Sequence, residues 1–405
     1  MFHSVLWNPK KVIVTAAYAD ACEALKVAIK EGKRPALTLV LDRSERLSAS
    51  KAAAHLAGFQ KIIVFGTGGS SLGGQAICKL QKNSRIVFVD NVDPQTYENL
   101  LNTCDPHTTG AIIISKSGNT LETLSQAYIF TQYMFKHVGK EALSQHIMCL
   151  SEDTNNPLRQ LAHDLSLPHY ALSPHIGGRY CVFSMVGLLP GMLDGLDMDA
   201  FCEGAAHILT RFLDQKDTLL QESLAFQSEQ INLGRSQHVI IPYSDRLWTY
   251  AQWAQQLIGE SLGKQGKGIT PIAARGTVDQ HSQLQLYMDG PEDKWITFIT
   301  CRDSGMGTII EAPWVSADFS YLRGKTIGDV MHAEHQATLT TLAEAGRHVR
   351  EIVINQPDER SLGALMMYAM LDVMLLSHIL EVNPFDQPAV EAGKVIAKDL
   401  LSAKK

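Results

Sequence analysis

Residues 61–66 read KIIVFG, a run of apolar residues that ends in a glycine, and a glycine-rich segment follows at once. Three similar runs lie downstream, each followed by helix-forming sequence: RIVFVD at 85–90, AIIIS at 111–115 and HIMCLS at 146–151. Apolar strands that alternate with helices are typical of a parallel sheet covered on both faces. The sequence therefore predicts an α/β fold for this region.

A second alternation of the same kind occupies the later part of the chain. Its strand-like runs are HVIIPYS at 238–244, ITPIAARG at 269–276, KWITFITC at 294–301 and EIVINQP at 351–357. Helical sequence lies between these runs. Two α/β units of similar build, each with a parallel sheet, are the predicted organisation.

Helical sequence also precedes, separates and follows the two units. With 405 residues the chain exceeds what one hydrophobic core usually serves, so two domains are expected. The predicted parts are an N-terminal helical segment at 1–55, a first α/β domain at 56–205, a second at 206–358 and C-terminal helices at 359–405.

Composition excludes several classes of protein. A formal net charge of −6 argues against nucleic-acid binding, which calls for a basic face. The seven cysteines are scattered and show no zinc-site spacing, which favours reduced thiols and a cytoplasmic location. The N-terminus has no signal-peptide core. The apolar run 362–380 contains Asp372 and His378, so it is predicted to be a buried helix and not a membrane span.

The first glycine-rich loop, GTGGSSLGG at 66–74, lies between a predicted strand and a predicted helix. Gly68, Gly69 and Ser70 would let backbone N–H groups approach an anion at the helix N-terminus. The glycine pattern is incomplete for a dinucleotide site. However, Asp90 stands where a ribose-binding acid would lie, so a nicotinamide enzyme stays an alternative. A tight turn without a ligand is the other alternative.

A second loop, SKSGNT at 115–120, again follows a strand and opens a helix. The hydroxyls of Ser115, Ser117 and Thr120 can donate to phosphate oxygens, and Lys116 adds a positive charge. A helix cap with a polar turn is the alternative. A nicotinamide site does not require a second anion-binding loop, so the pair of loops favours binding of a phosphorylated small molecule such as a sugar phosphate.

Five separated motifs together resemble the glucose-6-phosphate isomerase (phosphoglucose isomerase) family. They are GTGGSSLGG at 66–74, SKSGNTLET at 115–123, GGRY at 177–180, QLIGESLGK at 256–264 and FDQPAVEAGK at 385–394. The resemblance implies two sugar-isomerase (SIS) domains of flavodoxin-like build. It also implies a homodimer with shared active sites that interconverts glucose 6-phosphate and fructose 6-phosphate, without a metal or a cofactor.

The chemistry of such an isomerase assigns roles to particular residues. Moving a carbonyl between C1 and C2 requires a base that removes a carbon-bound proton and returns it to the neighbouring carbon. Glu260 matches the family's base, although alone it would read as a carboxylate at a helix end. Arg179, after two glycines, would neutralise charge on the enediolate oxygens. The resemblance assigns ring opening to His281 and Lys394.

Other polar residues received weaker assignments. Gln256 and Gln387 match family positions that contact the substrate. His332 and His335 lie three apart on a helix without an evident third ligand, so they are predicted to be surface residues and not metal ligands. The lysines of the turn GKQGKG at 263–268 are expected to belong to a mobile loop.

Two further alternatives stay open besides the nicotinamide enzyme. A bifunctional phosphoglucose/phosphomannose isomerase would share the fold and both loops. A non-catalytic SIS-domain sensor of sugar phosphates would keep the loops but would not need Glu260, His281 and Lys394. Finally, the glycine-rich excursion after Glu260 could lead away from its own site, so His281 is predicted to act in the partner subunit's site.

Overall fold

The computed structural model describes residues 3–7, 16–214 and 218–403. Its strands are β1 His3–Trp7, β2 Lys61–Phe65, β3 Ile86–Val89, β4 Thr109–Ile114, β5 Ile147–Glu152, β6 His169–Leu172, β7 Gln237–Pro242, β8 Thr270–Ala273, β9 Lys294–Cys301 and β10 Val349–Ile354. Its longer helices and single-turn segments are α1 Ala16–Lys30, α2 Pro35–Thr38, α3 Ser44–Leu56, α4 Leu72–Cys78, α5 Pro94–Thr103, α6 Leu121–Val138, α7 Leu143–His146, α8 Pro157–Asp164, α9 Met185–Leu193, α10 Met198–Leu213, α11 Thr218–Asn232, α12 Trp248–Leu262, α13 Leu284–Asp289, α14 Ile327–Glu344, α15 Glu359–Ile379 and α16 Glu391–Ser402.

The strands form two five-stranded sheets. The first has the order β3-β2-β4-β5-β6 and is parallel throughout. The second has the order β1-β10-β9-β7-β8 and is parallel except at its edge, where β1 pairs antiparallel with β10. The prediction of two α/β units is confirmed.

Three details of that prediction are wrong. The N-terminal part is not wholly helical, because β1 completes the second sheet. That sheet is consequently not purely parallel. Strand β6 was also not predicted, since its four residues HYAL contain no β-branched residue and most of the strand is only half-buried. All eight strand runs that the sequence did indicate are strands in the structure.

The prediction of a buried helix in the apolar run is confirmed. Among the described residues, one helix, α15, is long and apolar enough to cross a membrane, and 89% of its most apolar window is buried inside the protein. It packs against α10, α11 and α12. Glycines let α10 and α15 approach closely, because a Cβ at Gly204 or Gly363 would lie 1.9 Å from the carbonyl oxygen of Arg360 or Phe201, respectively.

The site is positioned where the two units meet. The carboxyl ends of the neighbouring strands β2 and β4 carry the two loops of the first unit, at the edge where open α/β sheets bind ligands. Helix α12 belongs to the second unit but packs against α4, which follows the first loop. The end of α12 is thereby brought to the loops of the first sheet.

Candidate active site

Arg179 is the centre of a polar cluster, although only 1% of its surface is exposed. Its Nε donates to Ser261 Oγ at 2.8 Å, and Nη1 donates to Glu260 Oε2 at 3.0 Å and to Gln387 Oε1 at 2.9 Å. Its Nη2 donates to the carbonyl oxygens of Pro384 and Asp386. These contacts use every N–H of the guanidinium. The predicted residues Arg179, Glu260 and Gln387 therefore lie together.

Close backbone packing holds Arg179 in this position. It lies in a 3₁₀ segment, Gly178–Phe183, that contacts the first glycine-rich loop. A Cβ at Gly69 would lie 2.2 Å from the carbonyl carbon of Gly178, so the two backbones can touch only because position 69 is a glycine. Part of the first loop's glycine content thus serves packing between loops.

Glu260 lies near the end of α12, with its carboxylate held from two sides and 35% of its side chain exposed. Arg179 binds one carboxylate oxygen, and Gln256 Nε2 donates to the other, Oε1, at 2.8 Å. Gln256 lies one turn earlier on the same helix and faces Gly68. A carboxylate that is fixed by a cation and an amide, yet open to solvent, is suited to exchange protons with a bound molecule.

Two buried polar atoms near the loops have no hydrogen-bond partner within the described chain: Gln256 Oε1 and the hydroxyl of Thr123. A buried polar group without a partner is costly, so both atoms are candidates to bind a polar ligand. Gln256 is one of the predicted site residues, whereas Thr123 is not. The position of Thr123 in the first turn after the second loop was the available signal.

Lys264 belongs to the cluster, contrary to the expectation of a mobile turn. Its Nζ lies 3.1 Å from Asp386 Oδ1, donates to the carbonyl of Asn383, and only 10% of its side chain is exposed. Burial lowers its pKa, against the opposing effect of the Asp386 carboxylate. Lys267 donates to the carbonyl of Leu380 at 2.9 Å. Both lysines therefore fix the chain that leads from α15 to Gln387.

The second loop opens α6 without a side-chain cap. Ser115 is buried and donates to Thr120 Oγ1 at 2.9 Å, so the Thr120 hydroxyl keeps its own hydrogen available for another acceptor. Ser117 donates to Asn119 Oδ1 at 2.6 Å. An uncapped helix N-terminus with hydroxyl groups around it is suited to bind an anion such as phosphate.

Lys116 and Ser70 line the same cleft, which joins the first and second loops. The Lys116 ammonium donates to the carbonyl of Pro174 at 2.8 Å and lies 3.4 Å from Glu152 Oε1. It therefore neutralises a carboxylate of its own chain. Asp90, which directly follows β3, accepts from Gln75 Nε2 at 2.7 Å, so the residue that suggested a ribose site has a partner within the chain.

His281 and Lys394 lie outside the Arg179 cluster. His281 is exposed at the end of a 3₁₀ segment, Val278–His281, and no described hydrogen bond or ion pair joins its side chain to the cluster. Lys394 lies on the exposed helix α16, where its Nζ is 2.7 Å from Glu391 Oε1. Four residues are predicted to carry the chemistry. Within one chain, two of them, Arg179 and Glu260, lie together.

The prediction that both histidines of α14 lie at the surface is wrong for His335. His332 is exposed, but only 4% of His335 is exposed and its Nε2 lies 3.1 Å from Glu351 Oε1. His335 follows Met331 by four positions and precedes Leu339 by four, so it falls on the buried stripe of the helix. In the described ranges no group of three or more His, Cys, Asp or Glu residues is arranged to hold a metal ion.

The family model described as phosphoglucose isomerase matches residues 40–405. Among curated relatives, glucose-6-phosphate isomerase of Thermus thermophilus is 35% identical over 362 residues, covering 85% of this chain and 84% of the relative. The enzyme of that name from Carboxydothermus hydrogenoformans is 32% identical over 369 residues, covering 85% and 79%.

Solved structures agree in fold. A crystal structure titled hypothetical protein TT0462, from Thermus thermophilus, matches with a TM-score of 0.86 and 30% identity, over 100% of both chains. Glucose-6-phosphate isomerase from Chlamydia trachomatis matches with a TM-score of 0.75 and 23% identity, over 89% of this chain and 73% of that chain. The match to the family model spans most of the sequence and includes every residue of the Arg179 cluster, so this chain belongs to the phosphoglucose isomerase family.

Proposed function

We propose that this protein is a glucose-6-phosphate isomerase that interconverts D-glucose 6-phosphate and D-fructose 6-phosphate, in the cytoplasm and as a homodimer. The observation that carries the proposal is the Arg179–Glu260 pair, which is flanked by Gln256 and Gln387 and lies beside the first loop. Ser70 of that loop shares a cleft with Lys116 of the second loop. A sensor would need the loops, but it would not need a positioned base beside them.

The first chemical requirement is to hold the phosphate. The uncapped N-terminus of α6 supplies backbone N–H groups, and Thr120, Ser117 and Thr123 supply hydroxyls. We assign the phosphate to this loop because the helix N-terminus favours a dianion and the hydroxyls donate to its oxygens. The first loop, with Gly68 and Ser70, then faces the sugar.

Proton transfer is assigned to Glu260. In the open-chain aldose, its carboxylate takes the proton from C2, the electrons of that bond form the C1–C2 double bond, and the π electrons of the C1 carbonyl move to O1, which gives a cis-enediolate. The same carboxyl group returns the proton to C1, while the hydroxyl proton moves from O2 to O1. One base serves both transfers because the two carbons are neighbours.

Arg179 supplies positive charge beside the enediolate and fixes the direction of Glu260. Since all its N–H groups have acceptors, a direct hydrogen bond to the enediolate requires Nη1 to exchange Gln387 for a substrate oxygen. Gln256 Oε1, which has no partner in the described chain, is assigned as an acceptor for a substrate hydroxyl.

Ring opening is assigned to His281 and Lys394, with His281 acting in the partner's site. The exposed imidazole of His281 has no described contact with the Glu260 of its own chain. Apolar side chains exposed on the single chain, such as Trp314 (84%), Tyr321 (65%) and Leu400 (73%), provide surface for a subunit interface.

The test of function is turnover by the purified protein. Fructose 6-phosphate is supplied, and glucose 6-phosphate is measured with a coupling dehydrogenase, with EDTA and without added nicotinamide in the primary reaction. Glu260→Gln keeps the size of the side chain and should lower kcat by about 10³-fold or more, since it removes the base. Glu344→Gln, an exposed change at the end of α14, is the matched control. A wild-type protein that binds hexose phosphate without turnover would be a sensor.

Mannose 6-phosphate distinguishes the bifunctional alternative. A bifunctional enzyme would convert it to fructose 6-phosphate at a rate comparable to that of glucose 6-phosphate. Loss of both rates in Glu260→Gln would assign them to one site.

A further inference from the structure

The turn that carries His281 contacts a buried tyrosine of the second unit. Tyr243 follows β7, and only 2% of it is exposed. Its ring packs against Gly276, where a Cβ would be 2.5 Å from a ring carbon. Burial raises the pKa of Tyr243 to about 12, so its hydroxyl keeps its proton and donates to Gln280 Oε1 at 2.9 Å.

Gln280, the neighbour of His281, connects this tyrosine to α14. Its Nε2 donates to Glu334 Oε2 at 3.1 Å. The two partners fix the orientation of the Gln280 amide. The Tyr243 hydroxyl donates, so it must face the amide oxygen, and the Glu334 carboxylate accepts, so it must face the amide nitrogen. Gln280 is therefore held between Tyr243, which follows β7, and Glu334 of helix α14.

The other contacts of the turn are local. Residues 278–281 form a single 3₁₀ turn, and the backbone N–H of Gln283 donates to the Asp279 carbonyl at 2.9 Å. The Asp279 carboxylate accepts from the Arg275 backbone N–H at 2.6 Å, before the turn, and from the Ser282 hydroxyl at 2.7 Å, after it. These contacts join neighbouring residues of the same segment. The Gln280 side chain connects the turn to Tyr243 and to α14.

We propose that Gln280, held between Tyr243 and Glu334, is the positioning residue for His281. This inference rests on the proposed function, in which His281 opens the sugar ring in the partner's site. An imidazole that acts in the partner subunit's site depends on contacts within its own subunit for its orientation. The Tyr243–Gln280–Glu334 chain supplies that orientation from within its own subunit, and an error of about 1 Å in such a group costs on the order of 10²-fold in rate.

The decisive experiment exchanges the hydrogen-bond donor and acceptor between positions 280 and 334. Gln280→Glu puts a second carboxylate beside Glu334, and repulsion between like charges breaks the contact. We expect kcat/KM for glucose 6-phosphate to fall about tenfold or more. The double variant Gln280→Glu/Glu334→Gln restores a donor to face an acceptor, while position 280 still accepts from Tyr243. It should recover most of the loss.

The control is Gln285→Glu, which makes the same chemical change beside the carboxylate of Asp289 on the next helix. It should leave kcat/KM unchanged. Tyr243→Phe, which removes only the hydroxyl, should reproduce part of the Gln280→Glu effect. A double variant no more active than Gln280→Glu, or a Gln280→Glu enzyme with wild-type kcat/KM, overturns the proposal.

A second readout separates positioning from a general structural lesion. Glucitol 6-phosphate has no ring to open, so its inhibition constant reports the phosphate loop and the Glu260 cluster alone. In Gln280→Glu this constant should stay within about twofold of wild type while kcat/KM falls. If the inhibition constant and kcat/KM change equally, the hydrogen bonds of Gln280 to Tyr243 and Glu334 have only a structural role. A wild-type protein without isomerase activity would instead refute the proposed function.

Discussion

Arg179 Nη1 lies 3.0 Å from Glu260 Oε2, although 81 positions of sequence separate the two residues. The guanidinium is buried, whereas a third of the glutamate is open to solvent. An unpaired charge at Arg179 would be costly to bury, so the pair and its carbonyl acceptors hold the end of α12 against the GGRY turn. The base is consequently fixed in place before any substrate binds.

This arrangement predicts that a lysine cannot replace Arg179. Lysine keeps the charge but cannot present the planar set of donors that reaches Ser261, Glu260, Gln387 and two carbonyls. Arg179→Lys should lower kcat/KM by about 10²-fold or more and should also lower the unfolding midpoint. Arg159→Lys, whose ion pair with Asp153 is exposed, is the control. Equal effects of the two changes in steady-state assays would contradict the assignment.

Removing hydroxyls of the second loop should weaken phosphate binding. Ser117→Ala combined with Thr120→Ala deletes two hydroxyls that can donate to phosphate, Ser117 after it exchanges Asn119 for a phosphate oxygen. KM for hexose phosphate and the inhibition constant of inorganic phosphate should therefore both rise about tenfold or more. The matched control is Ser125→Ala on the same helix, where the hydroxyl only donates to the carbonyl of Leu121. If the double variant keeps the wild-type KM and inhibition constant, the phosphate lies elsewhere.

The sequence predicted the elements well because the buried parallel strands carry continuous apolar runs. Local motifs also predicted several of the residues that gather at Arg179, but not Ser261 or Lys264. The sequence did not predict their contacts with Lys264 and with the carbonyls of Pro384 and Asp386. Backbone carbonyls carry no sequence signal, and these contacts join segments that only the tertiary fold brings together.

His335 was missed for a different reason. The spacing of the two histidines on α14 suggests a pair of metal ligands, but burial depends on their position relative to the apolar residues of the helix. The helical spacing from Met331 through His335 to Leu339 was the available signal for burial.

A buried histidine of the second sheet predicts a loss of stability in acid. His238 is 2% exposed and lies against Trp295, and burial, with Arg350 as a smaller contribution, holds its pKa well below the ordinary 6.5. The unfolded chain therefore binds a proton that the folded chain does not. This contribution to stability is fully present above about pH 6.5 and decreases by up to about 1.4 kcal/mol for each pH unit below it, until the folded-state pKa is reached.

Replacing this histidine should remove that part of the pH dependence. His238→Gln retains a group that can hydrogen-bond Thr297, and its free energy of unfolding should fall less than that of wild type between pH 7.5 and 5.5. The control His163→Gln changes an exposed ring and should follow wild type. Denaturant titrations at both pH values measure the difference. Parallel slopes for wild type and His238→Gln would exclude His238 as the cause.

The last prediction concerns the sharing of active sites between subunits. If His281 acts beside the partner's Glu260, then mixing Glu260→Gln subunits with His281→Ala subunits creates heterodimers with one site that carries both changes and one intact site. Random exchange of equal amounts makes about half of all dimers heterodimers, so the mixture should reach about one quarter of wild-type activity. Each parent homodimer should stay nearly inactive. If both residues act within one chain, every site keeps one lesion and mixing restores nothing. A fully active monomer at assay concentrations would also refute the shared site, and sedimentation during turnover measures this directly.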